Sequence, residues 1–298
     1  MNDKTDYEKI KEWFHQHPRL NPKSFTFNRV YRTITNSNRL LPNFIIIGFQ
    51  KCGTTTLFDN LIKSPNIGMS SKKEVHFFDF SYWRGISWYR AQFPLKITKL
   101  NFEEKNKEPY LVVDASPLYI FHPQVPQRVK KVLPNAKLIV IMRNPVDMAY
   151  SHYQHYKRRN LEKMSFEEVI DDDERRFETI MKRFQNDEIR DYNVKKIAFP
   201  YISMAIYVKY IKNWLNVFPK NQFLFLQTEE LNQNIEMEFR KIYDFIEIPS
   251  FNFKYVGKSN VGNYQPMKSS TRERLLKFYK PFNQELENIL ETKFQWEK

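Results

Sequence analysis

Glycine is scarce in this chain, six residues in 298. Two of them, Gly48 and Gly53, bracket the segment GFQKCGTTT, and a glycine is what backbone needs where it must approach a ligand closely. The segment follows an apolar run at residues 43–48 (NFIIIG) and precedes a helical pattern over 54–63 that stops at Ser64-Pro65-Asn66. Strand, glycine-bearing loop and helix start, in that order, make an anion cradle. The unpaired N–H groups and the positive dipole end of the helix face whatever the loop holds. Thr54, Thr55 and Thr56 add hydroxyl donors, Lys51 supplies a full charge, and Cys52 sits between them. The spacing is not that of a Walker A loop, since Thr54 follows the second glycine and the lysine is displaced to Lys51. With no acid well placed after a later strand to hold magnesium, the pattern suggests an activated anion transferred without a metal. The competing reading is an ordinary βα turn with a surface lysine.

A second candidate phosphate element lies in MRNPVDMAYSHYQHY. Arg143 follows the apolar run at 137–142 (KLIVIM), Asn144 and Pro145 open a helix with Asp147 in its first turn, and Ser151 lies about two turns in. If the two strands are neighbours, Arg143 and Ser151 clamp a second phosphate of the same nucleotide; otherwise they are a strand-end arginine and an inert helix serine. His152 and His155 stand at i, i+3, which allows a metal pair, but no third ligand is evident, so no metal site is expected. A helix N-terminus would lower the Cys52 pKa, yet no histidine neighbours it in sequence, and a loop filler is expected. Asp114 and Ser116 (DASPLY) follow the run at 110–113 (YLVV) and either contact an acceptor or cap a loop.

Positioning these residues requires strands that alternate with helices. Further helical patterns cover 203–218 and 235–246, a capping box at Ser165-Phe-Glu-Glu168 opens another, and residues 222–226 (QFLFL) read as a strand. That alternation implies an α/β fold: one domain over 42–298 with a central parallel sheet flanked by helices, preceded by a helical arm over 1–41. Apolar residues at 41% and aromatics at 16% supply a core. No apolar run approaches the roughly 18 residues of a membrane span, and no signal segment opens the chain, so a cytoplasmic protein is expected, with peripheral attachment to a membrane left open. A single cysteine suits a reducing compartment. The balance of 48 basic against 34 acidic residues, a net charge of +14, points to an anionic partner.

Taken together, the two phosphate elements resemble those of the sulfotransferases that use 3′-phosphoadenosine 5′-phosphosulfate (PAPS): a 5′-phosphosulfate loop and a 3′-phosphate motif. Between them KKEVHFFD (residues 72–79) looks like the segment that carries the catalytic glutamate in heparan-sulfate 3-O-sulfotransferases. RNPVDMAYSHYQH is closer to the N-sulfotransferase branch. Near the C-terminus VGKSNVGNYQPM (256–267) resembles the loop that closes over the nucleotide, with Lys258, Asn260, Gly262 and Asn263 in its binding positions. That loop is one residue longer than the common Gly-Lys-Ser-Lys-Gly-Arg, and Asn263 stands where the family has arginine. The resemblance runs from about residue 42 to the end, with four motifs in family order.

It implies in-line sulfuryl transfer from PAPS to a hydroxyl or amine, most naturally of a carbohydrate, with no metal required. Lys51 and the N–H groups of residues 53–55 would stabilise the leaving phosphate. Glu74 would be the general base, its pKa raised towards neutrality by partial desolvation. His76 would support Glu74 or be the base itself, and Lys73 and Asp79 would meet or orient the acceptor. Two rival readings are a nucleotide-binding kinase, disfavoured by the displaced lysine, and a basic nucleic-acid-binding module, for which no motif appears.

Overall fold

A strand with no polar residue has to be covered on both faces, and the molecule is organised around that demand. The run at 43–48 becomes β1 (Phe44–Gly48), with all five residues buried. The run at 137–142 becomes β4 (Lys137–Met142), buried after its first residue. The computed structural model describes residues 27–190, 197–252, 255 and 264–296. Most of the expected arm at 1–41 lies outside these; its described part is α1 (Phe27–Ile34) and a short 3₁₀ turn at Asn36–Asn38.

The other strands are β2 (Ile67–Met69), β3 (Leu111–Ala115) and β5 (Phe223–Gln227). They form one sheet in the order β2-β3-β1-β4-β5, every neighbouring pair parallel. After β1 the chain turns towards β2 and β3; after β4 it turns the other way, to β5. Adjacent strands whose connections diverge leave a crevice beyond their carboxyl ends, and here that crevice opens between β1 and β4. A register shift between Ile46 and Gly48 tightens this edge, and the Phe49 N–H donates to the Ile141 carbonyl at 2.8 Å.

Helices reach the crevice with the expected local chemistry. The helix α2 (Thr54–Leu61) follows β1. Following it are α3 (Gly85–Arg90), α4 (Lys96–Asn106) and α5 (Val125–Val132). In α6 (Pro145–Lys157) the Asn144 side chain accepts from the Val146 N–H at 3.0 Å, with Pro145 at the first position. The helix α7 (Phe166–Gln185) opens with the full Ser165–Glu168 capping box. Residues 203–218, expected as one helix, divide into a 3₁₀ turn at Ser203–Ala205 and α8 (Tyr207–Leu215). The reason is the buried Asp173 carboxylate, which accepts from the N–H groups of Ile202 and Ser203 at 2.8 and 2.7 Å and holds the turn out of helical register. The remaining helices are α9 (Thr228–Gln233), α10 (Ile235–Ile246) and α11 (Ser269–Leu290).

Gly48, the last residue of β1, has no room for a side chain: a Cβ there would stand 2.7 Å from Ile120 Cγ2. Gly48→Ala should therefore overpack the core and cost about 1–3 kcal/mol. Urea unfolding checks this through a lowered midpoint at unchanged slope; an unshifted midpoint would contradict the packing described.

Candidate active site

The anion cradle forms as a rigid corner. Gly53 precedes α2 with φ at 92°, in the left-handed region that glycine occupies without strain, and Lys51 sits at φ 63°. At the head of α9 the Thr228 hydroxyl lies 2.6 Å from the Cys52 carbonyl and 2.9 Å from that of Met142, tying the loop to the end of β4. Cys52 itself points inward. Its sulfur lies 3.6 Å from the Tyr207 hydroxyl, which donates to the Arg143 carbonyl at 2.8 Å. Burial pushes the Cys52 thiol up to about 12. The helix terminus thus loses to desolvation, and the Cys52 side chain fills the loop, as expected, so that any contact of this residue with a nucleotide falls to its backbone.

Over this corner lies a cleft of about 680 Å³. Lys51, Gly53, the three threonines 54–56, Arg143 and Ser151 all line it, so the two phosphate elements share one cleft. His155, read from sequence only as half of a possible metal pair, also lines the cleft, as does Arg159, which sequence reasoning missed. For His155 the signal was present, because it stands at i+4 from Ser151 and shares its face of α6; Arg159 lies just past the end of that helix.

Cations crowd this space. Burial lowers the Lys51 pKa, and Arg158 and Arg143 lower it further. His155 is pushed down to about 4 by burial and then by Lys51, Arg159 and Arg158, and a guanidinium N–H of Arg159 donates to its ring at 3.2 Å. Two acids lining the same cleft are already engaged. Asp147 accepts from Arg272 at 2.7 Å, and Glu229 from the Asn144 N–H at 2.8 Å and from the Trp296 indole at 3.4 Å. A multiply charged anion fits such a site, because it relieves the repulsion that depresses Lys51 and His155.

Glu74 lines the same cleft. Its carboxylate stands 3.5 Å from Nε2 of His76, and Nδ1 of His76 lies 2.8 Å from Asp79, which also accepts from the Phe80 N–H. His76 is buried, which alone would lower its pKa. The flanking carboxylates outweigh this and raise it to about 9, so the ring is an imidazolium at neutral pH. For Glu74, burial pushes upward, but His76 and then Lys73 pull harder, and its pKa falls below 4.5. The expected shift towards neutrality does not occur, because a cation sits against the carboxylate. Beside it, Lys73 donates to the Thr55 hydroxyl at 2.5 Å, bridging this group to the cradle.

Three expected acceptor contacts sit elsewhere. Asp79, Asp114 and Ser116 are all buried. Asp79 holds His76, while Asp114 accepts from the hydroxyls of Tyr89 (2.8 Å), Ser116 (2.9 Å) and Tyr119 (3.0 Å). Burial lifts the Asp114 pKa to about 6 against the pull of those donors. Asp114, inside β3, and Ser116, just after it, turn into the core here and support the loop above. Lys258, Asn260, Gly262 and Asn263 lie outside the described residues. His152 is packed among Tyr156, Phe199 and Tyr201, and among the described residues no cluster of three metal-ligating side chains exists. Nor, among them, is any helix long and apolar enough to cross a membrane.

Comparison with known proteins matches this arrangement. A family model described as "Sulfotransferase domain" covers residues 41–282. The membrane-associated sulfotransferase kil1 of Dictyostelium discoideum is 26% identical across 86% of this chain and 67% of its own length. Human carbohydrate sulfotransferase 15 is 27% identical across 87% of the chain and 55% of its own. Human bifunctional heparan sulfate N-deacetylase/N-sulfotransferase 3 is 29% identical across 84% of the chain but 30% of its own, so the chain spans only a part of these relatives. The cytoplasmic location expected from sequence finds no support among them. In structure, a sulfotransferase from Alicyclobacillus acidocaldarius superposes over 87% of this chain and 100% of its own, with TM-score 0.66 and 26% identity. With the family model spanning the sheet, the cradle and the Glu74 loop, the chain belongs to the sulfotransferase domain family.

Proposed function

We propose that the chain moves a sulfuryl group from PAPS to a hydroxyl or amine of a carbohydrate acceptor, with Glu74 as general base. The carrying observation is the convergence of a helix-terminus cradle, Lys51, Arg143 and Ser151 in one cleft that also exposes Glu74. The N–H groups of residues 53–55 and Lys51 suit the 5′-phosphosulfate, and Arg143 with Ser151 suits the 3′-phosphate. PAPS supplies the sulfuryl group together with a phosphate leaving group. Lys51 stabilises charge that grows on the leaving oxygen, and Glu74 takes the acceptor proton.

His76 does not suit the base role, because Asp79 and Glu74 hold it protonated to about pH 9. It suits keeping Glu74 ionised and aimed. The acceptor class draws support from the relatives' names, one a carbohydrate sulfotransferase and one a heparan sulfate N-sulfotransferase.

At a hundredfold excess over Kd, 3′,5′-ADP should stabilise the protein by about 2.7 kcal/mol, read as a rise in melting temperature. Lys51→Ala and Arg143→Ala should each diminish that rise, and 5′-AMP should give little. A rise with ATP–magnesium alone would instead identify a kinase. Glu74→Gln should cut transfer by about 10²–10⁴-fold while the response to 3′,5′-ADP persists; loss of both together would remove Glu74 from the base role. With a hydroxyl acceptor, kcat/KM should be level from pH 7.5 and not climb through pH 9. A tenfold rise per pH unit in that range would make His76 the base.

A further inference from the structure

Asp114 is a fully buried carboxylate, and among the described residues no lysine or arginine forms an ion pair with it. Such a charge persists only where hydrogen bonds replace water, and here three hydroxyls do so: Tyr89 from α3, and Ser116 and Tyr119 from the segment after β3. An ionised carboxylate only accepts, so each hydroxyl gives it its single proton and turns its lone pairs outward. Two of those oxygens meet the backbone of the Glu74 loop. Ser116 Oγ accepts from the His76 N–H at 3.3 Å, and the Tyr119 hydroxyl accepts from the Phe77 N–H at 2.9 Å. The adjoining Ala115 carbonyl accepts from the Glu74 N–H at 3.1 Å.

The loop needs such anchoring. Glu74 and His76 both hold positive φ, 58° and 53°, a conformation that residues with a Cβ keep only where their surroundings over-determine it. Tyr89, by contrast, reaches Asp114 through its hydroxyl and stacks its ring on Phe77 at 4.4 Å. Its hydroxyl makes no hydrogen bond to the loop backbone among the described residues.

We propose that Asp114 is a positioning residue which, by orienting the Ser116 and Tyr119 hydroxyls, fixes the backbone at 76–77 and thereby aims Glu74 and His76 into the cleft. The proposal rests on the reading of Glu74 as base. Asparagine in place of Asp114 carries an N–H₂ group that cannot accept, so a hydroxyl facing it loses its acceptor and with it the orientation that aims its lone pair at the backbone N–H. A misplacement of about 1 Å at the reacting groups is worth about 10²-fold in rate.

The test measures kcat, KM for PAPS and the 3′,5′-ADP melting response in Asp114→Asn, Tyr119→Phe, Tyr89→Phe and Glu74→Gln. Asp114→Asn and Tyr119→Phe should lose about 10²-fold in kcat, with KM for PAPS and the nucleotide response little changed. Tyr89→Phe should lower the melting temperature but leave kcat near the native value. Normal turnover in Asp114→Asn, or equal losses in Tyr89→Phe and Tyr119→Phe, would overturn the proposal, the second by showing a loss of core stability alone. If Asp114→Asn fails to fold, Tyr119→Phe decides, since it deletes one hydroxyl and keeps the ring. Glu74→Gln separates the two readings. Turnover kept there but lost in Asp114→Asn and Tyr119→Phe refutes the base and leaves the positioning role standing; the reverse pattern refutes positioning alone.

Discussion

The parallel pairing of β1 with β4 is the constraint on which the rest of the structure depends. It brings Gly48 beside Val140 and lets the Phe49 N–H bind the Ile141 carbonyl, so the loop after one strand and Arg143 after the other share an edge. Collecting Lys51, Arg143, Arg158 and Arg159 there is unfavourable in itself: burial lowers the pKa values of Lys51 and His155, and the neighbouring cations lower them further. The cost is borne by the core. β1 and β4 are buried almost throughout, and Thr228 bonds the loop to the end of β4. A site that repels its own cations can be held ready only by elements that cannot spread apart.

The other neighbour of β1 does different work. β3 pairs Asp114 with Ile45, well inside the sheet, and there a carboxylate has no water. Two acids within one network are consequently pushed in opposite directions: Asp114 up to about 6 by burial, Glu74 below its ordinary value by His76. The difference is the cation. Where an imidazolium lies against the carboxylate, attraction outweighs desolvation; where only hydroxyls do, desolvation wins. The cation-lined cradle thus lies on the β1–β4 side and the Glu74–His76 group on the β3 side, joined by one sheet.

Sequence carried the parts of this design whose causes are local. Strand, loop and helix start at 43–61 are contiguous, and the caps at Asn144 and Ser165 are written in neighbouring residues, so each was legible. Long-range causes were not. Whether Asp114 and Ser116 face solvent or core depends on Tyr89 and Tyr119, which no spacing announces. Cys52 lies at a helix start, where a dipole lowers a thiol pKa, but Tyr207 and the buried corner around it decide the outcome. The 3₁₀ turn at Ser203 owes its shape to Asp173, thirty residues earlier in the chain. The Glu74 pKa was misjudged for the same reason, since Asp79 had to be seen holding the imidazolium.

Lys73 shows how the two halves communicate. Its ammonium binds Thr55 of the cradle and lies close enough to Glu74 and Asp59 for both to raise its pKa against the effect of burial. An anion held by the Thr54–Thr56 wall competes with Glu74 for that charge. As Lys73 is drawn towards the anion, Glu74 loses part of the attraction that keeps its pKa low and becomes a stronger base. His76 and Asp79 limit the change, because the imidazolium remains against the carboxylate. In the proposed function, filling the donor site and strengthening Glu74 as base are then one electrostatic event, carried by the side chain that bridges Thr55 and Glu74.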